Sequence, residues 1–193
     1  MAAARRLSMG LAGVLQCLPL CVFAALALAQ APEPQGFWTG AMQGETPPTL
    51  SGGEVIHTEA LAEITARGGI ILVDVDSSPR RPANLAATAI WKPLAHRNIK
   101  GSVWIPGAGA GDLDDAMNGF FRDRLMALTG GDLERPIAFY CHPRCWGSWN
   151  AAKRAIGFGY RNVYWYPDGV EGWQEAGHPL VAAQPEGPDQ AER

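Results

Sequence analysis

The order of apolar and polar positions along the chain predicts four strands. Residues 70–75 and 136–140 form continuous apolar runs, which are typical of strands buried on both faces of a parallel sheet. Two shorter runs, residues 102–106 and 163–166, predict further strands, the first of them ended by a proline. The strands are separated by segments of helical period, so the chain reads as an α/β fold.

Helical spacing predicts the intervening elements. Residues 112–129 carry apolar side chains every three or four positions and end at a Gly-Gly pair. Thr58 is a candidate cap for a helix that runs to Arg67, and residues 148–156 form an alanine-rich helix. Residues 172–177 predict a helical turn. Alternating strands and helices predict a mainly parallel sheet of about five strands with helices on both faces.

The N-terminus has the pattern of a signal peptide. Arg5 and Arg6 precede an uncharged run, residues 11–29, which ends in a small-residue Ala-Leu-Ala site. We expect cleavage after residue 29 and a periplasmic mature protein with no stable membrane anchor. An uncleaved anchor is the alternative, since the run is long enough to span a bilayer.

Composition sets the remaining boundaries. Residues 30–55, rich in Pro, Gly, Thr and Gln, predict an extended segment with one docking point at Phe37 and Trp38. The domain itself is expected over residues 56–182, and a polar, flexible tail over residues 183–193. The formal net charge is −3 and no basic block occurs, which argues against nucleic-acid binding.

Two cysteines, Cys141 and Cys145, mark the candidate site. Cys17 and Cys21 would leave with the signal peptide, so this pair would be the only cysteines of the exported protein. Cys141 directly follows a predicted strand, and a predicted helix starts within a few residues of Cys145, at Ser148. The backbone N–H groups and positive dipole end of a helix N-terminus stabilise a thiolate, so we expect Cys141 to be a reachable sulfur of lowered pKa.

Other residues near the pair complete the expected site. His142 and Arg144 add positive charge to the loop, although His142 could also be solvated. Asp74, at a strand end, is expected to order backbone amides, and His96 to hold the loop that follows it. The pairs Arg97-Asn98 and Lys153-Arg154 are predicted to be ordinary surface charge.

The order of these motifs resembles the rhodanese-like domain. That resemblance implies a three-layer α/β/α fold in which Cys141 is the catalytic cysteine, Asp74 and His96 are supporting residues, and an anion- or substrate-binding loop surrounds the sulfur. The loop residues implied in this sequence are His142, Arg144, Trp146, Gly147 and Ser148. The motif positions that match are Asp74, His96, Ile99, Gly101, Val103, Pro106, Cys141, Asn162, Val163, Gly169 and Trp173.

A narrower resemblance is to the periplasmic proteins associated with catabolism dependent on pyrroloquinoline quinone (PQQ), which carry a Cys-x-x-Cys-Trp motif. Cys141, Cys145 and Trp146 give Cys-x-x-x-Cys-Trp here, one residue longer. The resemblance implies a role beside PQQ-dependent alcohol oxidation, with a quinoprotein alcohol dehydrogenase or a c-type cytochrome as partner. We predict no cofactor in this chain, and the link to PQQ is indirect.

Several chemistries stay open for the pair. Cys141 could form a persulfide that Cys145 resolves, or the two could exchange with a small thiol or sulfane-sulfur substrate as dithiol and disulfide. Cys141, Cys145 and His142 also suit Cu(I). A structural disulfide, or a non-catalytic module presenting Trp146 and Trp149 to a partner, are the remaining alternatives. Phosphatase chemistry is disfavoured, because Gly147 stands where an arginine is needed.

Overall fold

The computed structural model describes residues 31–79, 82–86 and 88–188. The predicted signal peptide, residues 1–29, and the last part of the predicted tail, residues 189–193, lie outside the described residues. Among the helices that are described, none has the length and apolar character needed to cross a membrane.

A parallel sheet of five strands forms the centre of the fold, in the order β1-β6-β5-β2-β4. Two further strands, β3 and β7, pair antiparallel in a separate small sheet. The four predicted strands are present, and β1, β3 and β7 were not predicted. The strands are β1 (Glu54–Val55), β2 (Ile71–Asp74), β3 (Arg97–Ile99), β4 (Val103–Trp104), β5 (Ile137–Tyr140), β6 (Val163–Trp165) and β7 (Leu180–Ala182).

Four helices cover the two faces of this sheet: α1 (Thr58–Arg67), α2 (Asp115–Thr129), α3 (Trp146–Gly157) and α4 (Gly169–Glu175). Successive side chains of β5 point to opposite faces of the sheet and pack against different helices. Ile137 and Phe139 pack with residues of α2 and α3, whereas Ala138 and Tyr140 pack with residues of α1 and α4. The predicted α/β fold, with a mainly parallel sheet of five strands, is therefore confirmed.

The helix ends follow local chemistry, with one correction. The Asp114 carboxylate accepts a hydrogen bond from the Met117 N–H at 2.8 Å, and Gly130 ends α2 in the left-handed conformation. The prediction that Thr58 caps α1 is wrong, because Thr58 is the first residue of this helix. Its N–H donates to the carboxylate of Asp168 at 3.0 Å, so a residue distant in sequence caps this helix.

The N-terminal segment, residues 31–53, packs on α3. Phe37 lies against the guanidinium of Arg154, whose central carbon is 4.2 Å from the ring centroid. Trp38 donates its backbone N–H to the Asn150 side chain at 2.8 Å, and the Lys153 ammonium donates to the carbonyl of Pro34 at 2.8 Å. The docking point expected at residues 37 and 38 is therefore present, within a longer line of contacts.

The chain after β7 also contacts the domain. Pro185 forms a β-bridge with Trp104, and the Glu186 N–H donates to the Trp104 carbonyl at 2.8 Å. The Glu186 carboxylate pairs with Arg124. The sequence predicts a flexible tail from residue 183. Within residues 183–188, however, Pro185 and Glu186 contact the domain, because Glu186 pairs with a cation on α2.

Candidate functional site

The candidate site lies where the central strands end. Asp74 is the last residue of β2 and Cys141 follows β5, and these two strands are neighbours in the sheet. The carboxyl ends of parallel strands are where α/β proteins bind ligands. Most of the predicted site residues therefore share one edge of the sheet.

Cys141 and Cys145 are joined by a disulfide, with their Cα atoms 6.5 Å apart. Arg144 makes the tight loop possible by adopting a left-handed conformation, with φ of 56°. Cys145 is the residue just before α3, which begins at Trp146. The loop therefore joins the end of a central strand to the first turn of a helix, as predicted.

The two sulfur-bearing residues differ in exposure. Cys141 has 0 % of its surface exposed, whereas Cys145 has 8 %. The prediction that Cys141 would be the reachable sulfur is wrong for this disulfide-bonded state, because the strand end, the loop and α4 enclose that residue. The backbone of α4 contacts Cys141 directly, because the Val170 N–H donates a hydrogen bond to the Cys141 carbonyl at 3.0 Å.

A cavity of about 300 Å³ opens beside Cys145. Its lining is mostly apolar or glycine, and Asp76 is the only charged side chain among the described residues that line it. The full lining is Met42, Gln43, Val75, Asp76, Ser77, Gly107, Gly109, Ala110, Cys145 and Gly147.

Two glycines allow the cavity wall to approach the helix. A Cβ on Gly109 would lie 2.4 Å from the Gly147 carbonyl oxygen, so a side chain at residue 109 would collide with the start of α3. A Cβ on Gly147 would instead lie 3.4 Å from the Cys145 sulfur, in ordinary contact. The loop over residues 107–110 therefore sits directly against the first turn of α3.

The N-terminal segment covers the other side of the cysteine loop. Gln43 forms an antiparallel β-bridge with Cys145, and the Gly44 N–H donates to the Arg144 carbonyl at 2.9 Å. The Trp146 N–H, which has no acceptor within its own helix, donates to the Met42 carbonyl at 2.8 Å. Sequence reasoning missed this pairing, because backbone atoms make it.

Trp146 and Trp149 are both buried, with 2 % and 0 % of their surface exposed. Trp38 stacks on Trp146 at 4.4 Å between ring centroids and 12° between ring planes. The Trp149 indole N–H donates to the Thr49 carbonyl at 3.0 Å. The alternative in which these two tryptophans form an exposed binding surface is therefore wrong, since the N-terminal segment covers them.

Two polar residues on α3 hold the surrounding chain in place. The Asn150 side chain, fully buried, accepts from the Trp38 N–H and donates to the Trp38 and Gly109 carbonyls at 2.8 and 3.0 Å. Arg154 is 4 % exposed and donates to the carbonyls of Ala108, Ala110 and Gly111. The prediction that Arg154 is ordinary surface charge is therefore wrong. Burial lowers the pKa of its guanidinium to about 10.

A similar correction applies to β3. Asn98 is buried, and the Arg97 guanidinium donates to the carbonyl of Leu180. Asn98 is therefore a buried part of the small antiparallel sheet formed by β3 and β7, whereas Arg97 is exposed, as predicted.

Histidines and carboxylates form a chain across the strand ends. His96 contacts Asp74 at 2.7 Å, and its other ring nitrogen lies 3.8 Å from Asp76. His142 contacts Asp76 at 3.0 Å and Glu171 at 2.6 Å. His96 also stacks on Trp104 at 3.8 Å between centroids. His142 is therefore not simply solvated, as considered above, but lies between two carboxylates.

This chain perturbs the titration of its members. The hydrogen bond with Asp76, and then the charges of Asp76 and Glu171, raise the pKa of His142 to about 9. Burial raises the pKa of Asp74, although its bond with His96 opposes the shift. Burial acts to raise the pKa of Asp76, but the hydrogen bond and charge of His142, the Ser77 N–H and the charge of His96 together lower it. His142 is thus a cation directly after Cys141 at neutral pH.

The remaining predicted site residues have clear partners. Asp74 accepts the Asp76 N–H at 2.9 Å, consistent with a role in ordering backbone amides. Ser148 donates to the Cys145 carbonyl at 3.2 Å and accepts the Trp165 indole N–H at 3.0 Å. Arg144 pairs with Glu45 at 2.6 Å on the exposed surface, so its charge is already matched.

Metal binding by this site stays a prediction. Within the described part of the chain, no group of three or more His, Cys, Asp and Glu side chains is arranged to hold a metal ion. The three candidate Cu(I) ligands all have other partners in this structure. Cys141 and Cys145 are bonded to each other, and Asp76 and Glu171 contact the two ring nitrogens of His142.

The fold and the position of the cysteine agree with one protein family. The family model of the rhodanese-like domain matches residues 57–176, and the chain therefore belongs to the rhodanese-like domain family. The match extends from the start of α1 to the end of α4. No curated protein matches the chain in sequence.

Several solved structures are similar at low identity. The polysulfide-sulfur transferase of Wolinella succinogenes is 19 % identical over 68 % of this chain and 80 % of its own, with a TM-score of 0.43. A thiosulfate sulfurtransferase from Pseudomonas aeruginosa is 20 % identical over 69 % of this chain and 21 % of its own, with a TM-score of 0.44. The BH2092 protein of Bacillus halodurans is 24 % identical over 67 % of this chain and 77 % of its own, with a TM-score of 0.44.

Proposed function

We propose that this rhodanese-like protein is a thiol–disulfide exchange protein that uses Cys141 and Cys145 as its redox pair. The observation that carries the proposal is the disulfide itself, placed between the end of β5 and the first turn of α3 with a cavity beside one of its sulfurs. The oxidised pair would take two electrons from two substrate thiols, which become a disulfide, and would itself become a dithiol.

The surroundings favour the reduced form of such a pair. A thiolate at a helix N-terminus is stabilised by the free N–H groups and by the dipole. Stabilising the reduced form makes a disulfide a stronger oxidant. A loop closed over a sequence separation of 4 would, in contrast, contribute little as a structural crosslink.

Sulfane-sulfur transfer is the second candidate, supported by membership of the rhodanese-like family. In this reaction the reduced Cys141 would carry a persulfide. The Cys145 thiolate would then attack the inner sulfur, forming the disulfide and releasing hydrosulfide. We place this reaction second, because Cys141 has no exposed surface in the disulfide-bonded state.

We further propose that the protein acts in the periplasm beside PQQ-dependent alcohol oxidation. The N-terminal pattern that begins with Arg5 and Arg6 supports export, and the Cys-x-x-x-Cys-Trp motif supports the association. A quinoprotein dehydrogenase or a c-type cytochrome would be the partner. Because Trp146 and Trp149 are buried, that partner would contact other residues.

The redox proposal is tested by equilibrating the purified protein with glutathione buffers of known ratio and counting free thiols. We expect the pair to be reduced within the range of glutathione potentials, while circular dichroism shows a folded protein. Cys141→Ser and Cys145→Ser should each abolish the transition. A pair that stays oxidised at about −300 mV or below would instead be a structural disulfide.

The cellular proposal needs a separate experiment. Deletion of the protein should slow growth on alcohols but not on other carbon sources, and cell fractionation should place it in the periplasm. Complementation by the wild type but not by Cys145→Ser would connect the phenotype to the redox pair. Equal rescue by both would contradict a role for the pair in alcohol oxidation.

A further inference from the structure

We infer that Cys145 is the sulfur that substrate attacks, and that the cavity beside it admits small thiols that carry a neutral or cationic group and disfavours anionic ones. The inference rests on the proposed exchange function and adds to it a site of attack and a class of substrate. It differs from the assignment that family resemblance gives, in which Cys141 is the reacting sulfur.

Exposure and position decide which sulfur reacts. Cys145 lines the cavity of about 300 Å³, and Cys141 does not. Cys141 is also fully buried, whereas part of Cys145 is exposed. A thiolate needs direct access to the sulfur that it attacks, so the cavity directs attack to Cys145.

The exchange can be written with every bond and electron pair assigned. The substrate thiol loses its proton to water, and its thiolate attacks the Cys145 sulfur. A bond forms between these two sulfurs, the Cys141–Cys145 bond breaks, and its electron pair leaves on Cys141 as a thiolate. A second substrate thiolate attacks the substrate sulfur of the mixed disulfide and releases Cys145. Two thiols are oxidised to one disulfide, and the protein disulfide is reduced.

The charge of the cavity sets the class of thiol. Asp76 is the only charged residue among the described lining residues, and Gln43 and Ser77 supply the polar groups. One ring nitrogen of His142 pairs with Asp76, and the other ring nitrogen pairs with Glu171, so two carboxylates face one histidine. The group of three therefore carries net negative charge, which disfavours a second anion entering beside it.

The size of the cavity limits the substrate further. A volume of about 300 Å³ is at the lower end for small-molecule sites. The apolar part of the lining, Met42, Val75 and Ala110, suits a short carbon chain. A small aminothiol or an uncharged alkyl thiol meets both conditions, whereas a dianion such as thiosulfate meets neither the charge nor the apolar lining.

A steric variant tests the site of attack. Gly147→Ala would place a methyl group 3.4 Å from the Cys145 sulfur, on a helix that tolerates alanine. The matched control is Gly157→Ala at the other end of α3, where the added methyl group meets nothing within 4 Å. We expect opening of the disulfide by 2-mercaptoethanol to be about tenfold slower in Gly147→Ala than in the control.

The mixed disulfide can be located directly. Free thiols are blocked with N-ethylmaleimide at early times, and trypsin then cuts after Arg144, which separates Cys141 from Cys145. Mass spectrometry should find the substrate adduct on the Cys145 peptide and the maleimide on the Cys141 peptide. The opposite distribution would overturn the inference.

Charge preference is tested with three thiols of equal chain length: cysteamine, 2-mercaptoethanol and 2-mercaptoethanesulfonate. With rates expressed per thiolate, we expect the sulfonate to react about fivefold or more slowly than the other two. Ala110→Lys should reduce that difference by adding a cation to the lining. Ala66→Lys, an exposed position on α1 at the opposite face of the sheet, should leave the difference unchanged.

The outcomes separate the two proposals. If the folded protein reacts with none of the three thiols, the exchange function fails, and this inference fails with it. If the disulfide opens but the three thiols react equally, or Gly147→Ala matches Gly157→Ala, the exchange function survives and this inference is overturned.

Discussion

The strand end and the helix end of the cysteine loop differ, although a sequence separation of only 4 connects them. Cys141 continues a central strand, has no exposed surface, and has its carbonyl held by Val170 of α4. Cys145 is bridged to Gln43 of the N-terminal segment and lines a cavity. The sheet therefore fixes one sulfur, whereas the segment and the cavity control access to the other.

The comparison also shows what the family fold does not determine. The family match covers residues 57–176, but the pairing at the helix end comes from residues 42–44, outside that range. The strand end is built by the domain alone. The helix end depends on a segment that precedes the domain, and the following changes test that dependence.

The largest effect is expected for Asn150→Ala. The change removes the three side-chain hydrogen bonds that join α3 to Trp38 and Gly109, and it leaves buried backbone groups without partners. We expect the free energy of unfolding to fall by about 3 kcal/mol, measured by urea denaturation. Asn118→Ala on α2 is the control, since the structure gives that side chain no hydrogen bond. A similar small loss in both variants would contradict the anchoring role.

Trp38→Ala tests the cover on the helix end more directly. Loss of the stack on Trp146 should lower the free energy of unfolding by about 2 to 3 kcal/mol, because Trp38 is only partly buried. It should also speed opening of the disulfide by thiols, while Trp38→Phe retains most of the wild-type behaviour. A stability loss with an unchanged opening rate would show that the segment does not limit access to Cys145.

Removal of the disulfide should have a smaller effect. For so short a loop, the chain-entropy model gives about 2 kcal/mol at most. The Cys141→Ala, Cys145→Ala double variant should therefore fold, with a circular dichroism spectrum like that of the wild type. Failure of the double variant to fold would indicate that the pair is a structural crosslink.

The smallest expected effect is on the pH dependence at the strand end. The raised pKa of His142 means that its pairs stabilise the folded state fully below about pH 6.5, and that this contribution is lost as pH rises through about 9. A titration followed by NMR should give a His142 midpoint near 9. Asp76→Asn should move the midpoint back toward 6.5, because the hydrogen bond with Asp76 is the largest cause of the shift. A wild-type midpoint near 6.5 would contradict the charge chain.

The sequence predicts the strand end well. Continuous apolar runs locate β2 and β5 to within one or two residues, and the cysteine after β5 marks the sheet edge. Strands β1, β3 and β7 have two or three residues each, which is too short for any period to show. Strands β4 and β6 are equally short, but they consist of β-branched and aromatic residues of high strand propensity, which made them predictable. Strand β3 is also difficult to predict because Arg97 and Asn98 are both polar and are paired only through tertiary contacts.

The helix end is harder to predict, for a physical reason. Met42, Gln43 and Gly44 contact the cysteine loop through backbone atoms, and no side-chain pattern reports such contacts. Arg154 resembles a surface cation in sequence, yet loop carbonyls satisfy its guanidinium inside the protein. Which of two nearby cysteines faces a cavity depends on the course of the loop, which spacing alone does not determine.

The central claim is that the disulfide between Cys141 and Cys145 reacts in the folded protein. The most direct test is the rate of its opening by 2-mercaptoethanol, measured at several urea concentrations below the unfolding transition. We predict a rate that is nearly independent of urea, because the thiol reaches Cys145 without unfolding. A rate that rises steeply with urea, and extrapolates to almost no reaction in water, would mean that the bond opens only on unfolding and would contradict the account.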